Sequence, residues 1–177
     1  MIDFSRNHFE LFGLAPRYAI DPAALDARFR ALQADVHPDR FGAGTDAERR
    51  LAHQSSARVN EAYRTLKDPA ERARYLLSLR GVDAMDERDT RLALDFLEAQ
   101  LERRERAAAA AGSDDLDALD AILADIRREQ RARQGELAAL IDESGDTERA
   151  RHVVRELKFL GKVAEDVEAM VEAIDAA

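Results

Sequence analysis

The sequence lacks cysteine and tryptophan, contains few prolines, and has no long apolar run. Without cysteine, the 177-residue chain has no disulfide framework and no thiolate ligands for zinc or an iron–sulfur cluster. No run approaches the roughly eighteen apolar residues of a membrane span, and the segment Met1-Ile2-Asp3-Phe4-Ser5-Arg6 resembles neither a signal nor a transit peptide. We therefore expect a cytoplasmic protein that does not enter a membrane.

The composition favours a globular, all-α chain. Hydrophobic residues make up 46%, charged residues 36% and aromatic residues only 6%, and no segment alternates at period two. Residues 1–80 hold 13 basic and 11 acidic residues, a net +2, whereas the remainder holds 14 and 25, a net −11. Two regions of opposite sign suggest two partners, and the acidic region argues against nucleic-acid binding.

The N-terminal region predicts a helical hairpin. Pro38 lacks a backbone N–H and disfavours the helical conformation at His37, so the first helix, from about Pro22, must end near Val36. His37-Pro38-Asp39 then lies at a loop tip before a second helix that runs to about Lys67. The positions at helical spacing that mark the packing faces are Leu25, Phe29, Leu32 and Val36 in the first helix, and Leu51, Ser55, Val59, Ala62 and Leu66 in the second.

A His-Pro-Asp tripeptide alone indicates no more than a turn. Its setting between two amphipathic helices resembles a J-domain, the module with which DnaJ-type co-chaperones engage a DnaK-class chaperone. More narrowly, the chain resembles the HscB family of iron–sulfur cluster assembly, nearly from end to end. The stretches that carry the resemblance are Asn7-His8-Phe9-Glu10-Leu11-Phe12-Gly13-Leu14, His37-Pro38-Asp39-Arg40-Phe41, Ala73-Arg74-Tyr75-Leu76-Leu77-Ser78-Leu79 and Glu156-Leu157-Lys158-Phe159-Leu160.

The resemblance implies that the hairpin binds the specialised DnaK-class chaperone HscA. The residues expected to contact the chaperone are His37, Pro38, Asp39, Arg40, Arg28 and Arg30. Two departures from the family pattern stand out. Arg40 replaces the usual lysine, which preserves the charge, and the segment from Pro22 to Arg40 has no net charge, whereas J-domains often carry a strongly basic second helix.

The C-terminal region predicts a three-helix bundle. Helical patterns run over residues 89–111, 114–142 and 147–175, and short Gly- and Ser-containing turns separate them, which favours antiparallel neighbours. We therefore expect a J-domain at residues 1–80, a linker at 81–88 and the bundle at 89–177. The seam of the last helix follows a four-three repeat through Val153, Leu157, Leu160, Ala164, Val167, Val171 and Ile174.

The first bundle helix carries two apolar sets on nearly opposite sides. One contains Leu92, Phe96, Ala99 and Ala110, and the other contains Leu94, Leu97 and Leu101. Only one side can face the core, and periodicity does not decide which. The resemblance favours the second set as the exposed one, since it implies that Leu97, Leu101 and Phe159, with Glu102 and Glu105, bind the cluster scaffold IscU.

The sequence predicts no enzyme, no cofactor and no metal site. The four histidines show no metal-ligand spacing, and neither a nucleophile constellation nor a glycine-rich phosphate loop is present. Two alternatives to an HscB-type function remain. One is a J-domain co-chaperone for a different client, and the other is a helical adaptor in which His-Pro-Asp is only a turn.

Overall fold

A computed structural model of the chain describes residues 2–37, 44–86 and 92–176. Over these residues the backbone forms α-helices and no strand, which confirms the predicted all-α class. The helices are α1 (His8–Leu11), α2 (Pro22–Val36), α3 (Asp46–Lys67), α4 (Pro69–Leu79), α5 (Leu94–Gly112), α6 (Leu116–Ala138) and α7 (Thr147–Asp175), with a π-helical segment (Ala139–Ser144) after α6.

Local capping signals set most of these boundaries. Before α2, the Asp21 carboxylate accepts the Ala23 N–H at 2.9 Å and Pro22 occupies the first turn. Asp146 caps α7 in the same way by accepting the Arg149 N–H at 2.9 Å. Gly145 precedes it with a φ of +71°, a left-handed conformation that glycine adopts without strain. Both helices therefore begin where the sequence predicts.

The described contacts divide the chain into two compact units, Met1–Leu76 and Leu77–Ala177. In the first unit, α2 and α3 run antiparallel. Asp26, early in α2, binds Lys67 at 2.7 Å, whereas Gln33, late in α2, donates to Asn60. Between them the rings of Phe29 and Tyr63 stack with centroids 3.9 Å apart. These contacts form the predicted helical hairpin.

In the second unit, α6 and α7 also run antiparallel. Arg127 pairs with Glu168 at 3.2 Å near one end, and Arg149 pairs with Glu136 at 3.0 Å near the other. Helix α5 lies against both at the first of these ends, and the described core there is largely aliphatic. Its buried members are Phe96, Ala107, Ala110, Leu119, Ile122, Leu123, Ile126, Leu160, Val163 and Val167. The three-helix bundle is thus as predicted.

The segment before α5 covers the other end of α6 and α7. Arg80 Nη2 donates to the Ile141 carbonyl at 2.9 Å, and the buried Arg155 Nε donates to the Ala84 carbonyl at 2.8 Å. Ala84 is itself fully buried. Part of the predicted linker, residues 81–88, therefore packs on the bundle, and independent folding of residues 89–177 stays a prediction.

Three local features differ from the sequence interpretation. The first bundle helix begins at Leu94, later than residue 89, and the second gives way to a π-helical segment at Ala139. Ala99, predicted on the core side of α5, is exposed, whereas Gln100 is buried. The buried positions Phe96, Gln100 and Ala107 lie within about 40° of one another on the helix, so the core-facing side is rotated away from Ala99.

Candidate functional site

The chaperone-binding candidates lie at the end of α2. His37 is exposed and caps this helix with φ −59° and ψ 127°, outside the helical region, as expected for a residue before proline. This conformation ends the helix at Val36. Pro38, Asp39 and Arg40 lie outside the described residues.

Arg28 and Arg30, the two other chaperone-binding candidates, differ in their surroundings. Arg28 Nη1 donates to the Phe12 carbonyl at 2.7 Å, and a Cβ atom on Gly13, whose φ is +59°, would lie only 2.6 Å from this nitrogen. Arg28 therefore connects α2 to the turn after α1 through a hydrogen bond. Arg30 is exposed and lies near Asp26, whose pKa is lowered first by hydrogen bonds from Lys67 and Tyr63 and to a smaller extent by Arg30.

The leucine set of α5 is exposed, as the resemblance implied. Leu97 retains 38% of its accessible surface and Leu101 retains 60%, whereas the neighbouring Phe96 retains 6%. Exposed leucines one turn apart form an apolar stripe, in which the described part of the chain leaves Leu101 more open to solvent than Leu97. The two apolar sets are thus resolved into a core-facing side and an outward side.

Phe159 differs from the two leucines, because it is half-buried and packs against the core. Its ring meets Phe96 edge to face, with centroids 5.7 Å apart and an interplanar angle of 76°. The Arg104 guanidinium lies 5.4 Å from its ring centroid and pairs with Asp166 at 3.2 Å. The Phe159 ring therefore supports the bundle core as well as the surface beside the leucines, and its part in scaffold binding stays a prediction.

Helix geometry places the two leucines beside Phe159. At about 100° per residue, Leu97 and Arg104 are only about 20° apart around α5, so Leu97 lies on the flank that faces the ring. Glu105 follows Leu101 by one turn and borders the same stripe. Glu102 lies about 100° from Leu101, on a neighbouring face. Leu97, Leu101, Phe159 and Glu105 therefore border one surface, and Glu102 lies farther from it.

Charged side chains also link the helices of the bundle to one another. Arg103 Nη2 binds Glu129 at 2.8 Å between α5 and α6, and Arg133 Nε lies 2.7 Å from the Glu156 carboxylate between α6 and α7. Burial raises the pKa of Glu156, and the nearby Arg133 opposes the rise. Sequence reasoning does not find these ion pairs, because helical periodicity within one helix does not indicate which charged side chains meet those of another helix.

A cavity of about 370 Å³ opens beside Glu156, lined by Leu92, Ala93, Arg149, His152 and Glu156. Its described lining brings together one imidazole, one carboxylate and the Arg149 guanidinium. Among the described residues, no three histidine or acidic side chains are grouped as metal ligands. In the same residues, no helix is both long and apolar enough to cross a membrane.

Residues 93–168, which contain the leucine stripe and Phe159, match the family model described as the HSCB C-terminal oligomerisation domain. A curated relative from Burkholderia mallei, named co-chaperone protein HscB homolog, is 48% identical over 175 residues and covers 99% of both chains. This chain belongs to the HscB family of co-chaperones. The family accounts for the two-unit helical architecture, and its members are named as co-chaperones rather than as enzymes.

Two solved HscB structures resemble the whole chain. The chaperone HscB from Vibrio cholerae is 35% identical, has a TM-score of 0.84, and aligns with 96% of this chain and 99% of its own. The human co-chaperone HscB is 26% identical, also with a TM-score of 0.84, and aligns with 95% of this chain and 83% of its own. Both likenesses extend over the J-domain hairpin and the C-terminal bundle together.

Proposed function

We propose that this HscB-family chain couples a DnaK-class chaperone, HscA, to the iron–sulfur scaffold IscU. The J-domain would stimulate the ATPase of the chaperone, and the bundle would deliver the scaffold, which aids maturation of iron–sulfur proteins. The observation that carries the proposal is the exposed leucine stripe of α5, inside the segment that matches the family model. An apolar stripe bordered by carboxylates suits a partner with a partly apolar, basic face.

The proposed mechanism is coupling rather than chemistry. Asp39 would make a charge-assisted contact to an arginine of the chaperone, while Pro38 would hold His37 and Asp39 in position. Binding of the scaffold to α5 would then raise its local concentration at the chaperone, because both partners are held on one chain. The reaction itself, hydrolysis of ATP, belongs to the chaperone.

Steady-state ATPase turnover of HscA, with and without this chain and IscU, tests the proposal. The triple variant His37→Ala, Pro38→Ala, Asp39→Ala should lose stimulation, and the double variant Leu97→Ala, Leu101→Ala should lose scaffold affinity while still stimulating the chaperone. Neither should change stability by more than about 0.5 kcal/mol, since His37 and both leucines are exposed. Full stimulation by the triple variant would contradict the J-domain role.

Arg28 and Arg30 give a matched pair for the chaperone interface. Arg28→Ala removes the hydrogen bond to the Phe12 carbonyl and should lower stability by about 1 kcal/mol. Arg30→Ala should leave stability almost unchanged. If Arg30→Ala reduces stimulation more than Arg28→Ala does, the contact runs through Arg30, and Arg28 serves the fold.

Two other functions would give different results in the same assay. A J-domain co-chaperone for another client would stimulate HscA but ignore IscU. A helical adaptor would do neither.

A further inference from the structure

Leu94 is the most exposed of the large hydrophobic side chains in the described residues. It retains 71% of its accessible surface, more than Leu101 at 60% or Leu97 at 38%. An exposed leucine in the first turn of a helix gains nothing for the fold, because alanine forms helix at least as well and exposes less apolar area. Its position on α5, together with its exposure, suggests a role in binding.

Leu94 continues the stripe formed by Leu97 and Leu101. At about 100° per residue, the three side chains fall within about 60° of one another around α5. They recur at intervals of three and four residues, so they form one row about 10 Å long at 1.5 Å per residue. Leu94 therefore extends the outward apolar row by one turn towards the start of the helix.

The two edges of this row carry different charges. Glu98 and Glu105, both exposed, each lie about 40° from a leucine one turn earlier and form an acidic edge. On the other edge, the Arg104 guanidinium lies over Phe159 and pairs with Asp166. Glu98 and Glu105 thus form an acidic edge along α5, whereas at the other edge the Asp166 carboxylate is paired with Arg104. This asymmetry suits a partner segment with aliphatic side chains along its centre and lysine or arginine along one side.

We propose that the scaffold-binding surface of α5 extends to Leu94, and that an aliphatic side chain of the scaffold packs on it while a cationic side chain meets Glu98. This inference rests on the proposed function. It adds Leu94 to the apolar contacts of the scaffold site. It also sets the orientation of the bound segment, whose basic side faces Glu98. The other candidate occupant of the row is a second copy of this chain.

Calorimetric titration of the full chain with the scaffold protein tests the extension. Leu94→Ala should weaken binding about tenfold, as truncation of an apolar anchor does. Glu98→Gln should weaken it about threefold and reduce its dependence on salt, because a charge at the border of an interface acts mainly by steering. Leu79→Ala is the matched control, since Leu79 is 45% exposed but lies on α4, outside the row, and it should change affinity by less than about twofold.

The outcomes separate this inference from the proposed function. If Leu97→Ala, Leu101→Ala weakens binding but Leu94→Ala does not, the extension is wrong and the scaffold site stands. If neither variant weakens binding, the scaffold site itself is wrong. Sedimentation of the chain alone tests the second-copy alternative: a dimer that Leu94→Ala dissociates would overturn the inference, whereas a monomer in both proteins supports it.

Discussion

The first unit joins its helices through aromatic as well as aliphatic side chains, whereas the core of the second unit is largely aliphatic. Eight of the ten aromatic residues of the sequence lie in Met1–Leu76, and only Phe96 and Phe159 lie in Leu77–Ala177. In the first unit, rings from different elements stack, as His8 does on Tyr75 with centroids 4.1 Å apart. A four-residue helix offers few contacts, so large side chains must supply the buried area that α5, α6 and α7 obtain from repeated leucine, isoleucine and valine.

The ionisable groups of the two units also respond to acid in opposite directions. Burial, and then the charge of Arg58, lowers the pKa of His8 in the first unit, so the stability it contributes is present above about pH 6.5 and is lost as the pH falls through the lowered value. Burial raises the pKa of Glu156 in the second unit. The stability that Glu156 contributes is therefore present below its unfolded pKa of about 4.3 and is lost as the pH rises through the raised value.

The largest expected effect separates core from surface within the second unit. Leu160→Ala should lower the free energy of unfolding by about 2–5 kcal/mol, because Leu160 is fully buried and truncation leaves a cavity. Leu101→Ala should change it by less than about 0.5 kcal/mol. Urea unfolding followed by circular dichroism measures both. A large loss with Leu101→Ala would mean that the outward row of α5 is covered in solution.

The next effect concerns the segment before α5. A fragment of residues 87–177 should be less stable than one of residues 77–177 by about 2 kcal/mol, since it loses the Ala84 carbonyl that accepts from the buried Arg155 and the Arg80 bond to Ile141. Thermal unfolding of the two fragments measures the difference. Equal melting temperatures would mean that residues 77–86 do not stabilise the bundle, and that the predicted linker at 81–88 marks the domain boundary.

His8→Phe should flatten the pH dependence of the first unit. The ring keeps its stacking on Tyr75 but no longer titrates, so the variant should lose less stability than the wild type as the pH falls from 7 to 5. Tyrosine fluorescence is a selective probe, because all three tyrosines, Tyr18, Tyr63 and Tyr75, lie in this unit and tryptophan is absent. Parallel pH profiles for variant and wild type would show that His8 does not contribute to the pH dependence of stability in this unit.

The smallest expected effect concerns Glu156, whose pH dependence of stability has the opposite sign to that of His8. The glutamine side chain of the Glu156→Gln variant does not titrate, so the variant should be more stable relative to wild type at pH 7 than at pH 4. Urea midpoints of the 77–177 fragment at the two pH values give this difference. A relative gain at pH 4 instead would show that Arg133, rather than burial, governs the Glu156 carboxyl.

The sequence by itself determined where most helices begin and end and which family the chain resembles. Capping side chains, proline and glycine act within a few residues, so α2 and α7 match their predicted bounds without reference to the rest of the chain. The stretch around His37 was recognisable for the same reason, because a motif is a local arrangement of residue types.

Only the tertiary structure decided which side of α5 faces out. Periodicity is a property of a single helix, whereas the choice between the Phe96 and Leu97 sides depends on where α6 and α7 lie. The same holds for Phe159, which packs on Phe96 while lying beside Leu97, and for Arg28, whose bond to Phe12 crosses sixteen residues. Burial of Glu156 likewise follows from packing between helices, since nothing within one turn of a charged residue indicates whether a neighbouring helix will exclude water from it.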